Sequence, residues 1–436
     1  MPRISPFPAW RYAPERVPVS QVVTQPYDKI TPEMQERYLN SSPYNLVRII
    51  LGRRQPGDGD RENVYTRAAA CFRDWRRTGI LRQDPEPSLY SYSQTFTVPG
   101  SEVRAERQGF IGLGRLEEYS AGVVFRHEQT LAKPKADRME LLRATRGHFG
   151  QIFMLYSGAG ETDALLHPTA APDIEVTDEY DVLHRVWRVS DPGVIAAVQA
   201  QMREQKLIIA DGHHRYETTL AYRNEQDRRA TAGREASTRA EPYDSVMMTF
   251  VDMNRAGLVI LPTHRVVFGL PSFSAEQLQA GAQQFFNVEE VDGAIDAARA
   301  VGILRTGGQS GTALLAVTAG RAFLMHSPKA IGTNLFGRLS LRQQSLDVVQ
   351  LHKCLLEGVL KISEEAVRNQ QNVSYHRAAA EALAQVRSGN AQVAFLMNAV
   401  RMEQVRDIAF AGEVLPQKST DFYPKLLSGL TIYALD

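Results

Sequence analysis

Apolar runs short enough for strands alternate along this chain with stretches whose apolar positions recur at helical spacing. The sharpest junction is Lys206–Glu217. Leu207 to Ala210 read as a buried strand, Asp211-Gly212 breaks the run, and Tyr216, Leu220 and Arg223 follow at helical spacing. The pattern predicts a strand, a tight turn and a helix whose first turn carries His213, His214 and Arg215. In residues 1–60 a dense set of prolines forbids a long helix, leaving room for a short one from Pro32 to Leu39 capped by Thr31. Val64, Ala68, Phe72 and Trp75 form the apolar stripe of a helix over 61–79, stopped by Gly79. Leu89–Val98 and Gln108–Leu116 read as two strands joined through Pro99-Gly100.

Further strands are expected at 151–156, 174–177, 184–189, 245–251, 312–318, 321–326 and 392–397. Helices are expected at 137–145, 192–204, 274–286, 346–360 and 376–387, and 158–172 reads as a loose segment. A turn at 254–257 is expected to return Leu258–Leu261 along the preceding strand. The helix after Arg215 is expected to dissolve into a polar surface excursion over 224–242. The fold class is α+β, with mixed sheets and flanking helices. Residues 1–265 make a site-bearing domain and 266–436 a second α/β lobe.

Composition narrows the function classes. Lys plus Arg total 50 against 49 Asp plus Glu, so no global field favours nucleic acid, although a local basic site stays open. Cys71 and Cys354 both sit in apparent helices, which argues against a disulfide framework or a structural zinc and for a reducing compartment. The proline-rich start does not read as a secretory signal, and no run reaches the roughly 18 apolar residues of a membrane span. A cytoplasmic protein with no membrane partner is expected; the oligomeric state stays open.

The candidate chemistry starts at the Asp211–Arg215 turn. The first N–H groups of a helix have no internal acceptor and lie at the positive end of its dipole. Two imidazoles and a guanidinium added there suit phosphate, and Gly212 permits close approach or positive φ. The plainer reading is that Asp211 caps the helix and the histidines are solvated. His127-Glu128 ends an apolar run and reads equally as a general acid/base or a solvated strand end, with Lys133, Lys135 and Arg138 following. Tyr27-Asp28 presents an aromatic edge and a carboxylate, or forms a structural turn. His264-Arg265 is expected at the end of a strand beside the focal one, reaching the same anion or serving packing. In Val414–Lys425, the side chains of Lys418, Ser419, Thr420 and Lys425 suit phosphate and hydroxyl contacts, or the segment is a packed strap. It lacks the upstream glycines of a Walker A loop, so a P-loop ATPase is rejected. Adjacent His213 and His214 point about 100° apart on a helix and lack i, i+4 spacing, which counts against a shared metal.

Taken together, Ala-Asp-Gly-His-His-Arg215, Thr-Gln-Pro-Tyr-Asp28, His-Glu-Gln-Thr130, Asp-Arg138, His-Arg-Val-Trp187, Pro-Thr-His-Arg265, Leu-Asp-Val348 and Pro-Gln-Lys-Ser-Thr420 closely resemble the domain of unknown function 1015 family, in order and over nearly the whole chain. Gln25 stands where that family's pattern has a second proline, and the insertion at 224–242 is a surface departure. The family looks related to the ParB/sulfiredoxin-like superfamily, which includes an ADP-dependent free serine kinase. The resemblance implies a ParB/sulfiredoxin-like core around the focal turn and a phosphorylated small-molecule ligand. It implies that Gly212, His213, His214 and Arg215 hold phosphate, with Asp211 orienting them or holding Mg²⁺, and that Glu128 is the base. Lys418 and Lys425 would neutralise developing charge. The function implied is a small-molecule phosphotransferase or phosphatase acting on serine or phosphoserine, with ADP or ATP as partner nucleotide. The alternative is a ParB-like, nucleotide-binding, DNA-associated module, against which the balanced charge and the missing helix-turn-helix pattern count.

Overall fold

Most apolar runs in the first part of the chain meet in one nine-stranded mixed sheet. From one edge its order is Val124–Phe125, Leu207–Asp211, Ile152–Tyr156, Ser245–Asp252, Arg104–Arg115, Leu89–Thr97, Leu183–Val189 and Ile174–Thr177, with Ile4–Ser5 pairing separately with Arg104–Arg115. The structure is a computed structural model that describes residues 1–129, 132–231, 241–329 and 335–436. The chain forms two units: Met1–Arg126 with Thr130–Val259 and Pro424–Asp436, and His127–Gln129 with Ile260–Tyr423.

In the first unit the focal strand runs antiparallel to Ile152–Tyr156 and parallel to Val124–Phe125. Ile152, Met154, Leu207, Ile209, Met248 and Phe250 pack with Tyr216 and Leu220 of the helix His213–Thr231, which explains why the apolar stripe behind the turn faces inward. A second cluster joins Phe72 and Trp75 of the helix Val64–Arg77 to Ile49, Phe149 and Ile432. That helix begins at an Asn63 capping box. Thr31 caps Pro32–Ser41, as the sequence leads one to expect.

The second unit is built on a six-stranded sheet in the order Asn287–Val291, Ala322–His326, Ala313–Val317, Val393–Met397, His264–Val267 and Val373–His376. Val266, Leu304, Leu315, Leu383 and Leu396 form its core. Among the described residues no helix is long and apolar enough to cross a membrane.

Several local expectations change. The helix from His213 does not dissolve at Asn224 but continues to Thr231; the rest of the expected excursion, 232–240, lies outside the described residues, as do Thr130 and the Lys133 side chain. The turn at 254–257 does not bring the chain back along Ser245–Asp252, whose neighbours are Ile152–Tyr156 and Arg104–Arg115. His264 and Arg265 open a strand of the second unit's sheet, so they are not at the end of a strand beside the focal one, which Val124–Phe125 and Ile152–Tyr156 flank. Within 158–172 a short helix, Glu161–Leu165, forms. The helix expected over 376–387 starts at Ala379, after a strand that includes His376.

Candidate functional site

The focal strand ends in a bulge. Ile209 pairs with Met154 and Asp211 with Phe153, so the extra residue, Ala210, shifts the register just before the turn. A bulge bends the strand and re-aims the side chain that follows. Gly212 then takes φ +94°, a conformation that favours glycine, and its N–H donates to Asp211 Oδ1 at 2.8 Å. The Gly212 carbonyl accepts from Tyr216 N and opens the helix. A Cβ on Gly212 would meet the Arg215 guanidinium at 3.1 Å.

Arg215 donates from Nη1 to the Gln151 carbonyl and lies 3.9 Å from Asp211 Oδ2 through Nη2. Lys425, far along the chain but in the same unit, brings Nζ to 3.5 Å from the same oxygen. The Asp211 side chain keeps 24% of its surface accessible. Burial alone would raise its carboxyl pKa; Lys425, Arg215, Lys29 and His213 outweigh that and hold it below the usual carboxylate range.

Two residues that sequence reasoning missed hold Lys425 in place. Arg107 is buried inside the sheet, donates to the Pro424 carbonyl at 2.5 Å and from Nε to Gln94 Oε1 at 3.0 Å, and stacks over Phe153. Gln94 Nε2 in turn donates to the Lys425 carbonyl at 2.9 Å. Burial draws the Arg107 guanidinium down to about 10, with Tyr92 and Asp211 acting in the opposite direction. Arg107 stands just before the strand that the sequence analysis reads as Gln108–Leu116, and no local signal marks it.

A cavity of roughly 90 Å³ lies beside Arg215 in this unit. Tyr27, Arg138, Arg215 and Ser428 give it polar and cationic walls, and Leu141, Phe149 and Val246 an apolar one. The Arg138 guanidinium lies 4.2 Å from the Tyr27 ring centroid, and its Nη1 donates to the Ile50 carbonyl at 2.8 Å. His148 and Thr218 also line the cavity; His148 Nε2 and Thr218 Oγ1 are buried with no hydrogen-bond partner among the described residues. The structure thus brings Tyr27, Arg138 and Arg215 to one cavity and Asp211, Gly212, Arg215 and Lys425 to one turn. His213 and His214 occupy the first helical turn there, and Asp28 follows Tyr27 in a short 3-10 turn.

The remaining candidates belong to the second unit. Glu128 Oε1 accepts from Lys418 N at 2.7 Å, and Lys418 adopts φ +57°. His127 Nε2 lies 2.8 Å from Thr420 Oγ1, and Ser419 Oγ donates to the Pro416 carbonyl. Arg265, fully buried, donates to the carbonyls of Thr263 and Lys418 and faces the Tyr375 ring; burial lowers its pKa to about 10. His264 Nδ1 accepts from Met397 N at 3.3 Å, and burial pushes its imidazole down to about 4. Here Glu128, His127 and Arg265 tie down the 416–420 loop.

The family model described as "Protein of unknown function (DUF1015)" matches residues 4–349. No curated protein matches the chain. Among solved structures, a conserved hypothetical protein from Pyrococcus furiosus is 12% identical at a TM-score of 0.33, over 70% of this chain and 90% of its own. A free serine kinase in complex with AMP is 12% identical at 0.34, over 70% and 88%. SbnI with C-terminal truncation from Staphylococcus aureus is 11% identical at 0.34, over 73% and 87%.

Proposed function

The chain belongs to the DUF1015 family, and we propose that its first unit binds a phosphorylated small molecule at the Asp211–Arg215 turn and transfers or releases its phosphoryl group. The observation that carries this reading is the gathering of Arg215, at 3.9 Å, and Lys425, at 3.5 Å, on one oxygen of the Asp211 carboxylate, with the charge of Lys29 adding to theirs. One carboxylate leaves that cluster electropositive, and a phosphate dianion at a helix start is its natural complement. Phosphoryl transfer depends mainly on positioning and charge neutralisation, the roles Arg215 and Lys425 are placed to fill. Asp211 orients both cations, and His213 and His214 add donors.

In this reading the ligand is a nucleotide, ADP or ATP, acting with serine or phosphoserine, and the turn belongs to a ParB/sulfiredoxin-like core. The cavity beside Arg215 supports the nucleotide: its apolar wall suits a base, and His148 Nε2 with Thr218 Oγ1 offers hydrogen bonds. Asp211, crowded by two cations, does not fit a resident Mg²⁺, and among the described residues no group of three or more acidic, His or Cys side chains forms a metal site. Glu128 belongs to the second unit, where it accepts from the Lys418 N–H, and the reaction proposed for the first unit assigns it no part.

The test is a phosphate-release and nucleotide-consumption screen with ADP and ATP against serine and phosphoserine. The wild type turns over one pair, and Arg215→Ala loses turnover with its fold retained. The absence of any turnover or thermal shift with every nucleotide and phosphoester contradicts the proposal.

A further inference from the structure

The second unit contains a cavity of its own, roughly 140 Å³, that the reading above does not use. Part of its lining is apolar: Leu339, Val349, Ile362, Val367 and Tyr375 contribute to it. Its polar lining is balanced in charge. Lys353 Nζ lies 2.8 Å from Glu357 Oε2 and 3.8 Å from Glu364 Oε2, and Arg368 Nη2 lies 3.1 Å from Glu364 Oε1, so two cations and two carboxylates edge the same space.

His352 lines the same cavity. Its Nε2 is buried and has no hydrogen-bond partner among the described residues. Burial, then Arg265 and Lys353, push the imidazole well below its ordinary basicity, so it is neutral at pH 7. Buried polar atoms in folded proteins are almost always satisfied, and an unpartnered one in a residue that lines a cavity calls for a ligand or water.

The backbone that presents these groups is unusual. Asp347–Gln350 is α-helical, but Leu351–Val359 is wound as a π-helix, and Leu360 N donates to the Leu355 carbonyl at 2.8 Å. The π winding is uncommon and recurs at functional sites because the wider turn re-aims side chains. Here it carries His352, Lys353 and Glu357 to one cavity.

We propose that this cavity binds a free α-amino acid with an apolar side chain. The side chain would lie on Val349, Ile362, Val367 and Tyr375, the carboxylate would meet His352 Nε2 and Lys353 Nζ, and the ammonium Glu357. A zwitterion matches an edge of zero net charge, whereas a simple anion meets Glu357 and Glu364 and a simple cation meets Lys353 and Arg368. The inference is independent of the phosphate reading, since it uses only residues of the second unit.

Calorimetric titration of the full-length protein with L-leucine, L-methionine and L-phenylalanine tests it, with 4-methylpentanoate and isoamylamine as probes lacking the amine or the carboxylate. At least one amino acid binds with 1:1 stoichiometry, and both truncated probes bind at least about tenfold more weakly. His352→Leu and Lys353→Met each weaken binding about tenfold while circular dichroism stays unchanged. No saturable heat from any of the three up to about 10 mM overturns the proposal, as does equal binding by either truncated probe or by folded His352→Leu protein. If His352 is only an imperfection of packing, His352→Leu raises thermal stability and the wild type binds none of the probes.

Discussion

Asp211 is a carboxylate among cations, and its response to pH follows from that setting. Its folded pKa lies below the unfolded value of about 3.9, so the stability it contributes is fully present above that pH and is lost as pH falls through the folded value. Lys425→Met therefore destabilises the protein by on the order of 1 kcal/mol at pH 7, discounted for the accessible part of the pair. In denaturant titrations that difference narrows at about pH 2 to 3; a difference equal at both pH values refutes this view of Asp211. The motif itself was legible because its residues are contiguous and its chemistry shows in their types. The clamp on Lys425 was not, because Arg107 reaches Pro424 across 317 positions and nothing local marks that pairing.

The strand, turn and helix around the motif were legible from period alone. The bulge at Ala210 was not, since the same apolar string suits a regular register as well as a shifted one. The π-helical winding of Leu351–Val359 was hidden for a similar reason: its apolar positions fit an α-helical stripe closely enough to predict one amphipathic helix over 346–360. The turn makes its own prediction. Gly212→Ala forces a side chain into φ +94° against the Arg215 guanidinium, costing about 1–3 kcal/mol and weakening phosphate binding. Gly302→Ala, within the helix Ala297–Gly308 with open space around its Cβ, instead stabilises by about 0.4–1 kcal/mol. Denaturant unfolding of both variants checks the contrast, and a Gly212→Ala protein as stable as the wild type contradicts the conformation assigned to the turn.

Neither unit is continuous in sequence. The chain gives 127–129 to the second unit and returns 424–436 to the first, so reading it in order does not reveal that Lys425 and Asp211 share a unit while Glu128 and Asp211 do not. Each unit holds a buried histidine, His148 in the first and His264 in the second, and burial lowers both from 6.5 to about 4. A base with a depressed folded pKa contributes stability that is present above about pH 6.5 and lost as pH falls toward 4, with a slope of up to about 1.4 kcal/mol per pH unit for each. His148→Gln with His264→Gln flattens the acid side of the stability profile over that interval; an unchanged slope in the double variant contradicts the assignment.

The most direct measurement is a calorimetric titration of the wild type, Arg215→Ala and Lys425→Ala with ADP and with pyrophosphate. Each charge-assisted contact is worth about 1.5–3 kcal/mol, so saturable binding to the wild type should weaken by roughly tenfold or more in each variant, with the fold intact. Binding that survives both substitutions unchanged, or no binding of either ligand to the wild type, would show that the cationic turn at Asp211 is not a phosphate site.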